Sequence, residues 1–284
     1  MIKDIYELTP IEIHENILLK RDDLFKPFDD TELNGGKMRQ AIFLIKNYLE
    51  EIRTKYNNTV ITCCNFSSPQ ALIISRVCKE YNVKSIICYG SDKNSTNEDI
   101  MKRHKMFQLA YENGSELRKV ASLGYSSVLT SRVNEIASKD NYFNVSFGIN
   151  IEDENFVDIT AQQVKNLPDD LYNLVIPCGS GIISASILYG LYKFKKKVNN
   201  VYVVQISDKD RKKTIERWLE PFENYTYIRD KTYDYNTKVN IILGNIELDN
   251  IYEAKAYDYM LKHIDINKKT MFWIVGNQNS VRNH

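Results

Sequence analysis

The chain has 284 residues, 43% hydrophobic and 26% charged, enough to bury one large core or two modest ones. Lys and Arg number 38 against 37 Asp and Glu, so a net charge of +1 draws it to neither nucleic acid nor a membrane surface. No apolar run approaches the roughly 18 to 20 residues of a membrane span, and MIKDIYELTP lacks the apolar centre of a signal peptide, so a cytoplasmic protein is expected. Cys63, Cys64, Cys78, Cys88 and Cys178 lie in apolar segments and read as buried reduced thiols. His14, His104, His263 and His284 show no paired ligand spacing, so no metal site is expected.

In chain order, the first feature is the dibasic-acidic segment Lys20-Arg21-Asp22-Asp23. The glycine loop Asn34-Gly35-Gly36-Lys37-Met38-Arg39 follows and presents one amine at the start of an apolar helical stretch. From about residue 59, short β-branched runs alternate with longer amphipathic ones, the pattern of βα units building a parallel sheet. Strands are predicted at 60–63, 84–89, 116–120, 142–145, 174–176, 201–206 and 271–275. Helices are predicted at 40–55, 69–81, 98–113, 122–139, 156–166, 181–195, 209–219 and 251–263. A polar interruption at 148–155 marks a junction, with a weaker one at 46–56. Residues 1–48 and 150–284 therefore form a large domain, and 49–149 a small α/β domain.

In Pro177-Cys178-Gly179-Ser180-Gly181 a predicted strand gives way to a glycine turn and then a helix. Backbone N–H groups, a serine hydroxyl and the helix dipole there suit an anion, although tight strand-to-helix packing alone would also explain the glycines. The turn is neither a Walker loop nor a complete dinucleotide fingerprint. Asn65-Phe66-Ser67-Ser68-Pro69-Gln70 is a polar turn at the carboxyl end of the first βα strand, where a cap and a ligand contact can coexist. Tyr225, Tyr227, Tyr233 and Tyr235 alternate, which reads first as strand faces.

Lys20-Arg21-Asp22-Asp23 with Asn34 to Arg39 resembles the segment that carries the Schiff-base lysine in the fold-type II, tryptophan-synthase-β-like, pyridoxal-phosphate enzymes. Gly179-Ser180-Gly181 falls where that family places its phosphate loop. Leu248-Asp249-Asn250-Ile251-Tyr252-Glu253-Ala254-Lys255-Ala256 is similar to a late family motif. Order and spacing agree over nearly the whole chain, and the resemblance is nearest to the branch of D-cysteine desulfhydrase and 1-aminocyclopropane-1-carboxylate deaminase. It implies two open, twisted, mainly parallel sheets flanked by helices, with pyridoxal 5'-phosphate in the cleft between the domains.

By that resemblance Lys37 bears the cofactor and moves the substrate α-proton, while Cys178, Gly179, Ser180, Gly181 and Ile182 surround its phosphate. Ser67, Ser68 and Gln70 occupy the loop that meets the cofactor ring and the substrate carboxylate, and Asn277, with Asn279 and Ser280 as alternatives, is a candidate for the pyridine nitrogen. Tyr233 or, foremost, Tyr235 is the tyrosine expected to touch substrate. Lys37, Ser68 and Tyr235 are thus the expected catalytic residues. The chain departs from the family at Pro69, which has no N–H to offer, at Ile182 and Ile183, which remove a hydroxyl from the phosphate loop, and at Val275, which cannot serve the ring nitrogen.

The activity implied is that of a lyase or deaminase: Schiff-base formation with an amino acid, α-proton abstraction, then β-elimination or replacement. One alternative keeps the cofactor but acts on an amino-acid-modified nucleotide or DNA base, as in phage DNA modification. Another is a non-catalytic subunit on the same scaffold. A small-molecule amino acid and a second copy in a homodimer are the expected partners, and nucleic acid only as a modified-nucleotide substrate.

Overall fold

The computed structural model describes residues 3–122, 125–149, 154–206, 209–217 and 224–282. In chain order the elements begin with β1 (Ile11–His14), β2 (Ile17–Arg21), α1 (Gly36–Asn47), α2 (Leu49–Lys55), β3 (Thr59–Cys63), α3 (Gln70–Glu80) and β4 (Lys84–Gly90). Next come α4 (Asn97–Arg103), α5 (Lys105–Glu112), β5 (Glu116–Ala121), α6 (Ser126–Asp140), β6 (Phe143–Val145) and α7 (Glu154–Ala161). β7 (Asn173–Cys178), α8 (Ile182–Lys193), β8 (Asn200–Gln205), α9 (Lys212–Glu216) and β9 (Thr226–Arg229) follow. The short pair β10 (Ile242–Leu243) and β11 (Ile246–Glu247) precedes α10 (Glu253–His263) and β12 (Thr270–Ile274). None of the described helices is long and apolar enough to cross a membrane.

Internal contacts divide the chain into two compact units, Met1–Arg39 with Asp153–Asn279, and Gln40–Glu152 with Ser280–His284. In the first, six strands are ordered β1-β2-β12-β7-β8-β9. β1 pairs antiparallel with β2, and every other neighbour is parallel. β7 and β12 are buried along their whole length, because helices cover both faces of a parallel sheet. Leu174, Ile176 and Trp273 face Ile183, Ile187 and Leu191 of α8. Val175, Phe272 and Ile274 face Ala256 and Met260 of α10 on the other side.

In the second unit four parallel strands are ordered β5-β4-β3-β6. Ile61, Cys63, Ile86 and Cys88 form a buried layer with Leu129 and Val133 of α6. Burial pushes the Cys63 thiol up to about 11 and the Cys88 thiol to about 12, as expected of inert core cysteines.

The structure departs from the predicted elements at particular residues. The helix predicted over 40–55 is interrupted at Tyr48, and that over 98–113 at His104, whose extended backbone (φ −134°, ψ 92°) sets its ring flat on Phe66 at 4.0 Å. Helix 156–166 ends as α-helix at Ala161 and continues as a 3-10 turn over Gln162–Val164. The hairpin β1–β2 is absent from the predicted strands, since a strand ending in Lys20 and Arg21 does not read as core. The fold buries both: Lys20 Nζ donates to Thr9 O (2.6 Å) and Asn166 Oδ1 (2.8 Å), and Arg21 pairs with Asp23 and Glu12. Tyr227 lies in β9, whereas Tyr233 and Tyr235 lie in no strand. The middle of the 148–155 junction, the first residues of helix 122–139 and the end of helix 209–219 lie outside the described residues.

Candidate active site

Lys37 is half-buried in the first turn of α1. Gly35 precedes it with φ +86°, and a Cβ there would stand 2.2 Å from Val275 O, so only glycine lets the loop lie on the end of β12. The Gly36 N–H donates to Val275 O at 3.0 Å, and the Gly35 N–H to Phe25 O at 3.0 Å. Asn34 completes the seam: its Nδ2 donates to Asn277 O (2.7 Å), its Oδ1 accepts the Asn277 N–H (2.8 Å), and Gln278 Nε2 donates to Asn34 O (2.9 Å). Asn277, expected near a ring nitrogen, thus spends its backbone on the lysine loop, and its side-chain Nδ2 donates to Glu247 O.

β7 ends in Cys178, and the turn Gly179-Ser180-Gly181 leads into α8 with Gly181 at φ +93°. Val175 of β7 lies opposite Phe272 of the parallel strand β12, so the glycine turn and the lysine loop leave the same edge of the sheet. A Cβ on Gly36 would lie 2.9 Å from Ile183 Cδ1 and 3.0 Å from Asp22 Oδ2, which puts the start of α1 directly against the first turn of α8. Open α/β sheets bind ligands at this carboxyl edge. The turn is braced from β8: Gln205 Oε1 accepts from Cys178 Sγ at 3.1 Å, and Gln205 Nε2 donates to Gly179 O at 3.4 Å. Burial pushes the Cys178 thiol up to about 12, so it is a packing group.

Tyr252 lies over the turn, where a Cβ on Gly179 would meet its ring at 3.0 Å. Its hydroxyl is 2.6 Å from that of Tyr235. Buried Lys255 fixes Tyr235 by donating to Asp234 O (2.9 Å) and Tyr235 O (2.8 Å). Tyr235 therefore reaches the glycine turn through Tyr252, while Tyr233 donates to Asp258 Oδ2 at 3.0 Å.

Glu253, beside Tyr252, is a residue that sequence reasoning misses. Its carboxyl is 1% exposed, accepting the Gly276 N–H at 2.8 Å and the Asp249 N–H at 3.0 Å. Burial first, and then the Asp249 carboxylate, push it up to about 8. The only signal in the sequence is the late motif itself, in which Tyr252 and Glu253 are adjacent; nothing in it distinguishes a buried acid from a surface one.

In the second unit, Ser68 Oγ accepts the Gln70 N–H at 3.3 Å and so helps to begin α3 after Pro69. Gln70 is fully buried and works as a brace. Its Nε2 donates to Thr62 Oγ1 (2.7 Å) and Ser146 O (3.0 Å), and its Oε1 accepts the Gly148 N–H (2.7 Å).

No protein-family model matches the chain. Solved structures resemble it over almost its full length. An ACC deaminase homologue superposes with TM-score 0.71 at 16% identity, covering 97% of this chain and 91% of that one. Threonine deaminase isoform 2 from Solanum lycopersicum gives 0.64 at 14% identity, covering 96% and 81%. An O-acetylserine dependent cystathionine beta-synthase from Helicobacter pylori gives 0.65 at 15% identity, covering 98% and 96%. The chain has the fold of the fold-type II pyridoxal-phosphate enzymes. Among curated proteins, this fold-type II chain is 28% identical over 287 residues to an O-seryl-dTMP PLP-dependent decarboxylase of Salmonella phage ViI. That match covers 92% of this chain and 65% of the relative, so the chain spans less than two thirds of the phage protein's length.

Proposed function

We propose that this chain is a pyridoxal-phosphate-dependent enzyme acting on the serine part of a nucleotide-linked substrate. The observation that carries the cofactor reading is the approach of the Lys37 loop to the glycine turn, with Gly36 against Ile183 at one edge of one sheet. The residues present fit the group. Gly179 and Gly181 let Tyr252 and Arg211 pack closely on the turn, the α8 N-terminus would aim N–H groups at an anion, and Lys37 would offer an amine to a carbonyl. The nucleotide reading is supported by the similarity to the O-seryl-dTMP decarboxylase across 92% of this chain.

Bound there, the cofactor supplies the electron sink for a bond broken at the substrate α-carbon. Lys37 would hold the cofactor through Nζ and carry a proton to or from that carbon. Gly179, Ser180 and Gly181 would bind the phosphate, with Tyr252 above the turn excluding water. Glu253, titrating near 8, would hold or release a proton at the end of β12, where Val275 has no polar side-chain atom to offer. A second reading, β-elimination or replacement on a free amino acid, is favoured by the Tyr235–Tyr252 hydroxyl pair beside the turn, which could deliver a proton to a leaving group.

Spectroscopy and product analysis test both. Purified protein should take up pyridoxal phosphate and turn yellow, borohydride should fix the cofactor to Lys37, and Lys37→Ala should prevent this. A protein that stays colourless sinks the proposal. With O-seryl-dTMP the products should be carbon dioxide and the nucleotide carrying an aminoethyl group; pyruvate and ammonia from free serine, or these with sulfide from D-cysteine, would favour the second reading.

A further inference from the structure

Arg211 lies just before α9 and packs directly on the glycine turn: a Cβ on Gly181 would stand 3.3 Å from Arg211 Cβ, 3.4 Å from Ile215 Cγ1 and 3.5 Å from Thr214 Cβ. Its backbone is tied to the same turn through Tyr227 and Gln205. The Arg211 N–H donates to Tyr227 OH at 2.8 Å, and Tyr227 OH lies 3.1 Å from Gln205 Oε1, the atom that also accepts from Cys178 Sγ. The guanidinium charge is near enough to act on the Cys178 thiol at the end of β7.

Arg211 Nε is buried and finds no hydrogen-bond partner among the described residues. A buried guanidinium N–H left unpaired is costly, and native structures pair such groups with protein, ordered water or a ligand. The nearest acid in sequence does not serve, since Asp210 is taken up by Tyr227 OH, the Lys212 N–H and the Arg229 guanidinium. The turn also lacks a hydroxyl at its helix start, where α8 opens with Ile182 and Ile183. Neutral donors alone, backbone N–H groups and the Ser180 hydroxyl, would face a dianion.

We propose that Arg211 is a phosphate-binding residue, its guanidinium supplying the charged contact to a phosphate monoester held at Gly179-Ser180-Gly181. This rests on the cofactor reading above, which makes the cofactor's phosphate that monoester. An arginine donor makes strong, geometrically specific bonds to phosphate, and here it takes the place of the missing hydroxyl.

The test compares equilibrium binding of pyridoxal phosphate and of pyridoxal, which lacks the phosphate, to the apoprotein. Arg211→Gln should weaken pyridoxal phosphate by about tenfold or more while leaving pyridoxal unchanged, and Arg211→Lys should recover part of the difference. As a check needing no variant, inorganic phosphate should slow phenylglyoxal modification of Arg211 in the wild-type apoprotein, read by mass spectrometry of the peptide. Equal weakening of both aldehydes, an unchanged ratio, or no protection by phosphate overturns the assignment of Arg211 alone. Wild-type protein that takes up neither aldehyde overturns the cofactor reading as well.

Discussion

Arg39 Nη1 and Nη2 each lie 3.1 Å from Asp22 Oδ1, and both side chains are completely buried. The guanidinium also covers the Phe25 ring at 4.0 Å, and Asp22 Oδ2 reaches to within 3.0 Å of where a Gly36 Cβ would be. The pair thus forms the floor of the Lys37 loop. Removing one partner strands a buried charge, so Asp22→Leu or Arg39→Met should each cost about 3–5 kcal/mol. The double variant Asp22→Leu, Arg39→Met should recover most of that loss. Denaturant midpoints for the four proteins measure this, and additive losses would contradict it.

The Lys37 loop depends on Gly35. At φ +86°, with Val275 O 2.2 Å from where an alanine methyl would stand, Gly35→Ala must move the backbone. A loss of about 1–3 kcal/mol is expected from the conformational strain, seen as a lowered thermal midpoint. Lys37 labelling by pyridoxal phosphate and borohydride should fall with it. Wild-type labelling in a destabilised variant would show that the glycine serves packing only.

Glu253 predicts a stability that depends on pH. Its carboxyl is raised from the ordinary 4.5 to about 8, so between these values the folded protein keeps a proton that the unfolded chain has released. Its contribution is fully present below about 4.5, falls through the window by up to about 1.4 kcal/mol per pH unit, and levels off above about 8. Denaturation from pH 5 to pH 8 should show the wild type losing stability relative to Glu253→Gln, which has no proton to release. Parallel curves would rule this out.

The hydroxyls of Tyr235 and Tyr252, 2.6 Å apart, should couple. Tyr235→Phe and Tyr252→Phe are each expected to cost about 0.5–1.5 kcal/mol, and the double variant less than the sum, because both remove the same bond. A double-mutant cycle on stability measures the coupling, and strict additivity would exclude it.

In the second unit, Gln70→Leu leaves the Gly148 N–H and the Ser146 carbonyl without their side-chain partner. About 1–3 kcal/mol of stability should be lost. Hydrogen exchange at Gly148 should accelerate; unchanged exchange would mean that another group satisfies it.

The parallel-sheet architecture is legible in the sequence because apolar runs buried on both faces, such as β7 and β12, carry their own pattern. The Lys37 loop and the glycine turn are legible because close backbone approach demands glycine wherever it occurs. The β1–β2 hairpin is not, since its end is made of Lys20 and Arg21, whose partners include Asn166 and Asp23 outside the hairpin. His104 breaks a helix that periodicity joins, because its ring packs on Phe66 from another turn.

By itself the sequence determined the parallel α/β class of fold, the one amine in a glycine loop and the glycine turn between strand and helix, all consequences of local backbone geometry and strand or helix period. Only the tertiary structure decided that Glu253 is a buried acid, that Tyr252 covers Gly179, that Gln70 is a brace and that Arg211 rests on Gly181. Burial, proton affinity and hydrogen-bond partners depend on groups far apart in the chain. A run such as Asp210-Arg211-Lys212 has no local pattern that distinguishes a solvated side chain from one packed on a glycine turn.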